Sequence, residues 1–450
     1  MIARIDIRRR QTDGSPSLDY RHLVPRADFD VAAAAAQVAP LCEDVRLRGS
    51  SAVRDIALRF DGVELDDIRV DPAQLAAAAD ALEPGLRAAL LESIKRVREV
   101  CERELDDQPV TTLAPGATVT RRLVPIGRVG LYVPAGITPL PSSVVMNVVP
   151  AQVAGVRSLA VASPPQKDHD GRIHPTILGV LGLLGVDEVY AVGGSAAVPM
   201  FAYGTEDCPK VDLICGPGNI YTVASKRVVS SVVAIDSEAG PTEILVVADS
   251  SADAAFVSAD LISQAEHDPA AAAVLVTDSE VLADAVEADL PARVAASKHA
   301  GRIAAALSGK QSAIVLVDDI AQAVEVANGY AAEHTEVQTV DAEKVADGIV
   351  NAGAIFVGPY SPVSLGDYCA GSNHVLPTGG CACFSSGLSV RTFVRSMQQI
   401  RYDLPALEQV SDAVQILAVA EDLPAHGAAV AVRVSASVAS LTSVPTGSRS

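Results

Sequence analysis

Val211-Asp212-Leu213-Ile214-Cys215-Gly216-Pro217-Gly218-Asn219 sets a short apolar run directly before a Gly-Pro-Gly turn and an asparagine that can open a helix. A strand, a tight turn and a helix in succession form the repeating unit of α/β folds. Backbone N–H groups at such a helix start can receive an anion, and a plain strand-to-helix turn fits the same residues. Working outward, comparable runs occur at Val129 to Val133, Ser158 to Ala162 and Glu188 to Val192. A second series occupies Ile244 to Val247, Ala273 to Val276, Ala313 to Val317 and Ala354 to Val357. Strands alternating with helical stretches predict two α/β units, each a mainly parallel sheet with helices on its faces. Upstream, Asp30 to Glu104 reads as largely helical, with Leu75, Ala79, Leu82, Leu86 and Leu90 three or four residues apart. From Gly387 onward the pattern reads as helical again, with Leu404, Leu407, Val410, Val414 and Leu417 at helical spacing, and the Ser/Thr-rich end from about 435 is expected to fray.

Composition narrows the function classes. The 450 residues include 35 basic and 55 acidic side chains, a formal charge of −20, and 49% are hydrophobic. That apolar content excludes disorder throughout the chain, and the acidic balance disfavours nucleic acid and anionic membrane as partners. Met1 to Arg10 alternates apolar with charged residues and holds no secretory core, and no stretch approaches the roughly 20 apolar residues of a membrane span. A soluble, cytoplasmic protein acting on a small or polar substrate is expected. The seven cysteines, at 42, 101, 208, 215, 369, 381 and 383, show no disulfide framework. Cys381-Ala382-Cys383 lacks the second pair of a structural zinc site and reads as inert thiols.

Of the eight histidines, four sit among carboxylates or amides. Gln264 and His267 lie three residues apart at the end of a helical run from Asp253, so an amide oxygen and an imidazole can face one cation, although a polar helix end explains them equally. Glu333-His334 stands between a helix and an apparent strand from Thr335 to Val340, where an imidazole could take a proton while the carboxylate orients water; an exposed polar pair fits as well. Ser364 to Thr378 packs Asp367, Tyr368, Asn373 and His374 into a Gly-punctuated loop. Glu421-Asp422-Leu423-Pro424-Ala425-His426 breaks a helix at its proline. Together Gln264, His267, Asp367 and His426 would supply two imidazoles and two oxygens, a mixture suited to zinc, with Glu421 placed to suit a substrate ammonium. Spacing alone does not establish that they converge.

These stretches, in this order, resemble the histidinol dehydrogenase family. The match rests on Gly130-Leu131-Tyr132-Val133-Pro134, Gly216-Pro217-Gly218-Asn219, Ala239-Gly240-Pro241-Thr242-Glu243, Ser263-Gln264-Ala265-Glu266-His267, Glu333-His334, Gly366-Asp367-Tyr368 through Asn373-His374-Val375-Leu376-Pro377, and Glu421 to His426, spanning about residues 25 to 435. The resemblance implies oxidation of L-histidinol to L-histidinaldehyde and then L-histidine, with one zinc ion per subunit and two NAD consumed. It implies Gln264, His267, Asp367 and His426 as zinc ligands, His334 as proton acceptor and Glu333 as activator of water. Thr242, Gln264, His267, His334, Asp367, His374, Glu421 and His426 fall at substrate-binding positions, and Tyr132 and Asn219 at NAD-binding ones. It implies two atypical Rossmann-like domains with small N-terminal and C-terminal helical segments: 25–129 with 241–386 carrying the zinc and catalytic residues, 130–240 on the NAD side, and 387–440 crossing to the partner of an intertwined homodimer.

Two positions depart from the family pattern. Ser195-Ala196 follows Gly193-Gly194 where Ala-Gln is usual, removing a glutamine expected at NAD, and Thr335 follows His334 where an apolar residue is usual. These departures leave open a related zinc/NAD alcohol dehydrogenase with a different amino or hydroxy alcohol as substrate. A zinc hydrolase using Glu333 without a nicotinamide, and a non-catalytic binding protein, are the more distant alternatives.

Overall fold

A computed structural model of the chain describes residues 2–8, 19–27, 30–105, 108–135, 138–238 and 240–442, the side chains of 436–442 excepted. The chain divides into two compact units, Met1–Leu105 with Ile126–Phe393, and Asp106–Pro125 with Val394–Ser450.

Both parallel sheets belong to the first unit. The six-stranded sheet runs in the order Ala3–Asp6, Ala313–Leu316, Ala272–Thr277, Glu243–Ala248, His334–Gln338, Ala354–Val357, with every neighbouring pair parallel. Its central strands, EILVVA and AAVLVT, are buried along their whole length, as strands covered by helices on both faces must be. On one face Ile244, Val246 and Leu275 pack against Val257 and Leu261 of the helix Ala254–Ala265, which Asp253 caps by accepting the Ala255 N–H. On the other, Leu245, Val247 and Val274 meet Val326 and Ala327 of the helix Ile320–Tyr330.

The five-stranded sheet runs Val189–Ala191, Ser158–Ser163, Arg128–Tyr132, Leu213–Cys215, Ala234–Ile235, again all parallel. From Arg128–Tyr132 the chain first builds one side of the sheet and then returns to build the other. The carboxyl ends of Arg128–Tyr132 and Leu213–Cys215 therefore flank a topological switch point, where open α/β sheets form their ligand crevice. Parallel sheets covered by helices make the expected Rossmann-like α/β architecture, and the strands predicted around the Gly-Pro-Gly turn and in the second series are present, with ends shifted by at most two residues.

The second unit holds the antiparallel sheet Val394–Tyr402, Ala117–Pro125, Val110–Ala114 and the helices Leu404–Ala420 and Pro424–Thr442. The helical reading from Gly387 is thus corrected: a 3₁₀ turn at Val390–Phe393 leads into a nine-residue strand before the first helix begins. That strand pairs with residues about 270 positions earlier, from Val394 opposite Pro125 to Tyr402 opposite Ala117, a partnership no local pattern displays. No described helix is long and apolar enough to cross a membrane.

Candidate active site

Thr242, Glu333 and His334 meet at the amino ends of two adjacent strands, where His334 pairs with Ile244 in register. The Thr242 hydroxyl donates to Glu333 Oε2 and accepts from the amide nitrogen of Gln264, so one side chain ties both strands to the last turn of the helix Ala254–Ala265. The Glu243 N–H also donates to Glu333 Oε2, at 3.0 Å. Because its amide nitrogen is committed to Thr242, Gln264 keeps its oxygen as an acceptor; that atom is fully buried and has no hydrogen-bond partner among the described residues.

His334 is the first residue of its strand rather than part of a preceding turn, and it is only 4% exposed. Its Nδ1–H donates to the Glu243 carbonyl at 3.2 Å, which fixes the tautomer and leaves Nε2 as the basic nitrogen. Burial pulls its pKa down to about 4, aided by His267 and His374 and opposed by the Asp367 charge and the Glu243 hydrogen bond. Glu333 shifts the other way: burial lifts its carboxyl well above the usual range, against the stabilising Thr242 hydroxyl and Glu243 N–H. With Glu333 Oε2 only 3.5 Å from His334 Nδ1, a neutral imidazole lies beside a carboxyl that holds its proton tightly. Glu243 anchors the pair. Its carboxylate is ion-paired with Arg26, whose guanidinium lies 4.1 Å from the Tyr330 ring centre and donates to the Tyr330 carbonyl.

Asp367 collects the remaining imidazoles of this region. Its carboxylate lies 3.9 Å from His267 Nε2 and 3.8 Å from His374 Nδ1. His374 donates through Nδ1 to the Asp367 carbonyl at 3.1 Å, so its Nε2 accepts from the Ser143 hydroxyl at 3.2 Å. Asn373 fastens the same loop by donating to the Met146 carbonyl at 2.7 Å. The predicted Thr242, Gln264, His267, Glu333, His334, Asp367 and His374 are thus brought together. Glu421 and His426 lie in the second unit, both exposed. Among the described residues no group of three His, Cys, Asp or Glu side chains forms a metal cluster. The first unit offers His267, Asp367 and the orphaned Gln264 oxygen, a borderline-soft nitrogen and oxygen donor set that fits zinc and lacks a fourth member.

At the switch point of the five-stranded sheet, Gly216 has φ +119°, and a Cβ there would lie 2.1 Å from the Tyr132 carbonyl oxygen, so only glycine fits. Lys226 and Asp236 grip this turn from beneath. The ammonium pairs with the carboxylate and donates to the Gly216 carbonyl at 3.1 Å, while Asp236 accepts the Gly216 N–H at 2.8 Å. Asn219 caps the helix Ile220–Val229 by accepting the N–H groups of Tyr221 and Thr222 at 3.0 and 3.1 Å. Tyr132, almost fully buried, sets its phenol against Thr222 and the Gly194 N–H. Cys215 is core, and burial raises its thiol pKa far above the reactive range.

Known proteins are similar to this chain in sequence and in fold. Residues 24–434 match the family model described as histidinol dehydrogenase. A histidinol dehydrogenase of Streptomyces avermitilis is 57% identical over 434 residues, covering 96% of this chain and 98% of that one. The chain belongs to the histidinol dehydrogenase family. A second family member, from Thermobifida fusca, is also 57% identical over 434 residues, with the same coverage. The crystal structure of a histidinol dehydrogenase from Elizabethkingia anophelis matches with a TM-score of 0.90 at 31% identity, over 98% of this chain and 99% of that one. Set against that family pattern, Ala196 is buried among core residues of the five-stranded half, so no polar arm replaces the usual glutamine there. Thr335 is completely buried, and its hydroxyl has no hydrogen-bond partner among the described residues. Ser143, Glu243 and Arg26 were not singled out from sequence. Glu243 stood inside a quoted motif, whereas Ser143 and Arg26 act across more than 200 residues of chain and left no local signal.

Proposed function

We propose that the chain is a zinc- and NAD-dependent dehydrogenase that oxidises L-histidinol to L-histidinaldehyde and then to L-histidine, as the last steps of histidine biosynthesis. The observation that carries this reading is the buried Gln264 oxygen, left without a donor among the described residues, one helical turn from His267, which faces Asp367, and within one hydrogen-bond chain of Glu333. Gln264, His267, Asp367 and His426 would hold one zinc ion, His426 arriving from the C-terminal segment of a second copy in a homodimer, together with Glu421 to meet the substrate's ammonium. When bound, zinc supplies an anchor for the substrate's imidazole and amine, and NAD supplies the hydride acceptor.

The chain's own residues supply the proton chemistry. His334 Nε2 takes the hydroxyl proton in each oxidation, its depressed pKa keeping it neutral and ready at physiological pH. Glu333, whose raised pKa makes its ionised form a stronger base than an ordinary carboxylate, draws the proton from the water that adds to the aldehyde. Thr242 and His374 flank the substrate and hold these groups in place. The turn at Gly216, with Asn219 and Tyr132, would receive the dinucleotide.

The test is NADH formed per L-histidinol consumed by zinc-loaded protein. About two NADH per histidinol, as two hydride transfers demand, supports the reading. No NADH refutes it, and turnover of other amino alcohols in its place would favour the related dehydrogenase that Ser195-Ala196 leaves open.

A further inference from the structure

One buried group is not used by this chemistry. Beyond His334, the same face of its strand carries Glu336 and Gln338, which lie beside Val246 and Ala248 in register and so point into the apolar layer under the helix Ala254–Ala265. Asp260 enters that layer from the helix, one turn before Gln264. Glu336 is 0% and Asp260 7% exposed. The Gln338 amide nitrogen spans them, donating to Glu336 Oε1 at 2.8 Å and reaching Asp260 Oδ2 at 3.4 Å. Glu336 Oε2 and Gln338 Oε1 have no partner among the described residues. Two carboxylates in a dry layer cannot both ionise without a cation, and Asp260 is the charged group that faces Glu336 from the packed helix, as His334 is the titratable neighbour on its own strand.

We propose that Asp260, Glu336 and Gln338 form a clamp sharing a single proton, which fixes the helix bearing Gln264 to the strand bearing His334 and so sets the spacing of the reacting groups. The three are positioning residues and act through Gln264 and His334. Two strand residues span about 6.6 Å and four helical residues about 6 Å, so the clamp lies one step behind both side chains and holds them at matched depth. Burial, with the Asp260 charge next, pushes the Glu336 pKa up to about 9, consistent with the shared proton residing there. The inference rests on the reaction proposed above, but part of its test does not.

The variants are Glu336→Gln, Glu336→Leu and Asp260→Asn, compared in kcat, KM and thermal midpoint from pH 5 to 8. Glu336→Gln retains a donor, an acceptor and the Asp260 charge, Asp260→Asn retains a donor and an acceptor beside the protonated Glu336, and both keep kcat within about twofold of the parent protein. Glu336→Leu folds but lowers kcat about tenfold or more with little change in KM, as a small misplacement does. Folded Glu336 keeps its proton to about pH 9, whereas the unfolded chain releases it near 4.3, so the parent protein loses stability as pH rises between those values. Glu336→Gln removes that loss, and its thermal midpoint exceeds the parent's by more at pH 8 than at pH 5. The clamp is overturned if Glu336→Gln is as inactive as Glu336→Leu, if Glu336→Leu retains full kcat, or if the midpoints of Glu336→Gln and parent run parallel across pH. An inactive parent protein would refute the dehydrogenase reading while leaving the thermal comparison to decide the shared proton.

Discussion

Replacing Thr242 by valine keeps the side chain's shape and deletes one oxygen that serves two buried partners. The Gln264 amide nitrogen loses its hydrogen bond to Thr242 in a residue that is 1% exposed, at a cost of about 1–3 kcal/mol. Glu333 Oε2 retains the Glu243 N–H at 3.0 Å and loses about 1 kcal/mol. The sum, about 2–4 kcal/mol, corresponds to a drop of about 2–4 °C in thermal midpoint, at about 2 cal/mol/K of unfolding entropy per residue over 450 residues. The consequence for the site is larger. Without Thr242 the Gln264 amide can turn either way, so its oxygen is no longer kept as the free acceptor, and affinity for the proposed zinc is expected to fall by about tenfold or more. Differential scanning calorimetry and a zinc titration with a competing chelator read the two effects separately. Thr242→Val with the parent's midpoint and zinc affinity would show that the hydroxyl does not organise the site.

Four further outcomes follow from the geometry. His334→Ala abolishes most turnover with zinc content intact, whereas His267→Ala loses zinc and turnover together; metal analysis beside an NADH assay separates them. Lys226→Met leaves the buried Asp236 carboxylate without its cation, costing about 3–5 kcal/mol, and raises the KM for NAD but not for histidinol; equal changes in both would dissociate the Gly216 turn from the cofactor. In metal-free protein the His334 ring stays neutral down to about pH 4 by NMR, so folding stability declines as pH falls from about 6.5, where the unfolded imidazole gains its proton, toward 4; titration near 6.5 would contradict its burial. Mixing a His334→Ala chain with a His426→Ala chain restores activity if sites are completed across subunits, and leaves both inactive if each chain is self-sufficient.

Elements whose identity is written in contiguous residues were legible. Strands such as Ala354–Val357 declared themselves by short apolar runs ending in turn residues, and Asn219 and Asp253 cap helices where the pattern placed helix starts. Five strands were not read, among them Ala3–Asp6 and Val394–Tyr402. Met1 to Arg10 alternates as an edge strand should, yet alternation served only to exclude a secretory signal, because its partner at Ala313–Leu316 is 310 residues away. Val394–Tyr402 mixes residues that suit helix or strand alike, and distant pairing decides the matter. In the candidate site, ordered motifs pointed to side chains that the fold brings together, but their tautomers and protonation depend on groups folded in from elsewhere. The Ser143 hydroxyl meets the acceptor side of His374, and the Glu243 carbonyl sets the donor side of His334. Nor could spacing reveal that the candidate catalytic residues gather at the amino ends of one sheet while the Gly216 turn sits at the carboxyl ends of the other.

The strand Ala3–Asp6 has a practical bearing on how the protein is handled. It covers the outer row of N–H and C=O groups on Ala313–Leu316, a strand whose side chains are buried throughout. A chain begun at residue 24 would keep every residue of the proposed chemistry and still bare that row, a flat apolar template for strand addition by other molecules. Such a shortened protein is expected to self-associate at working concentrations, so purification tags are better joined ahead of the intact N-terminus than in place of it.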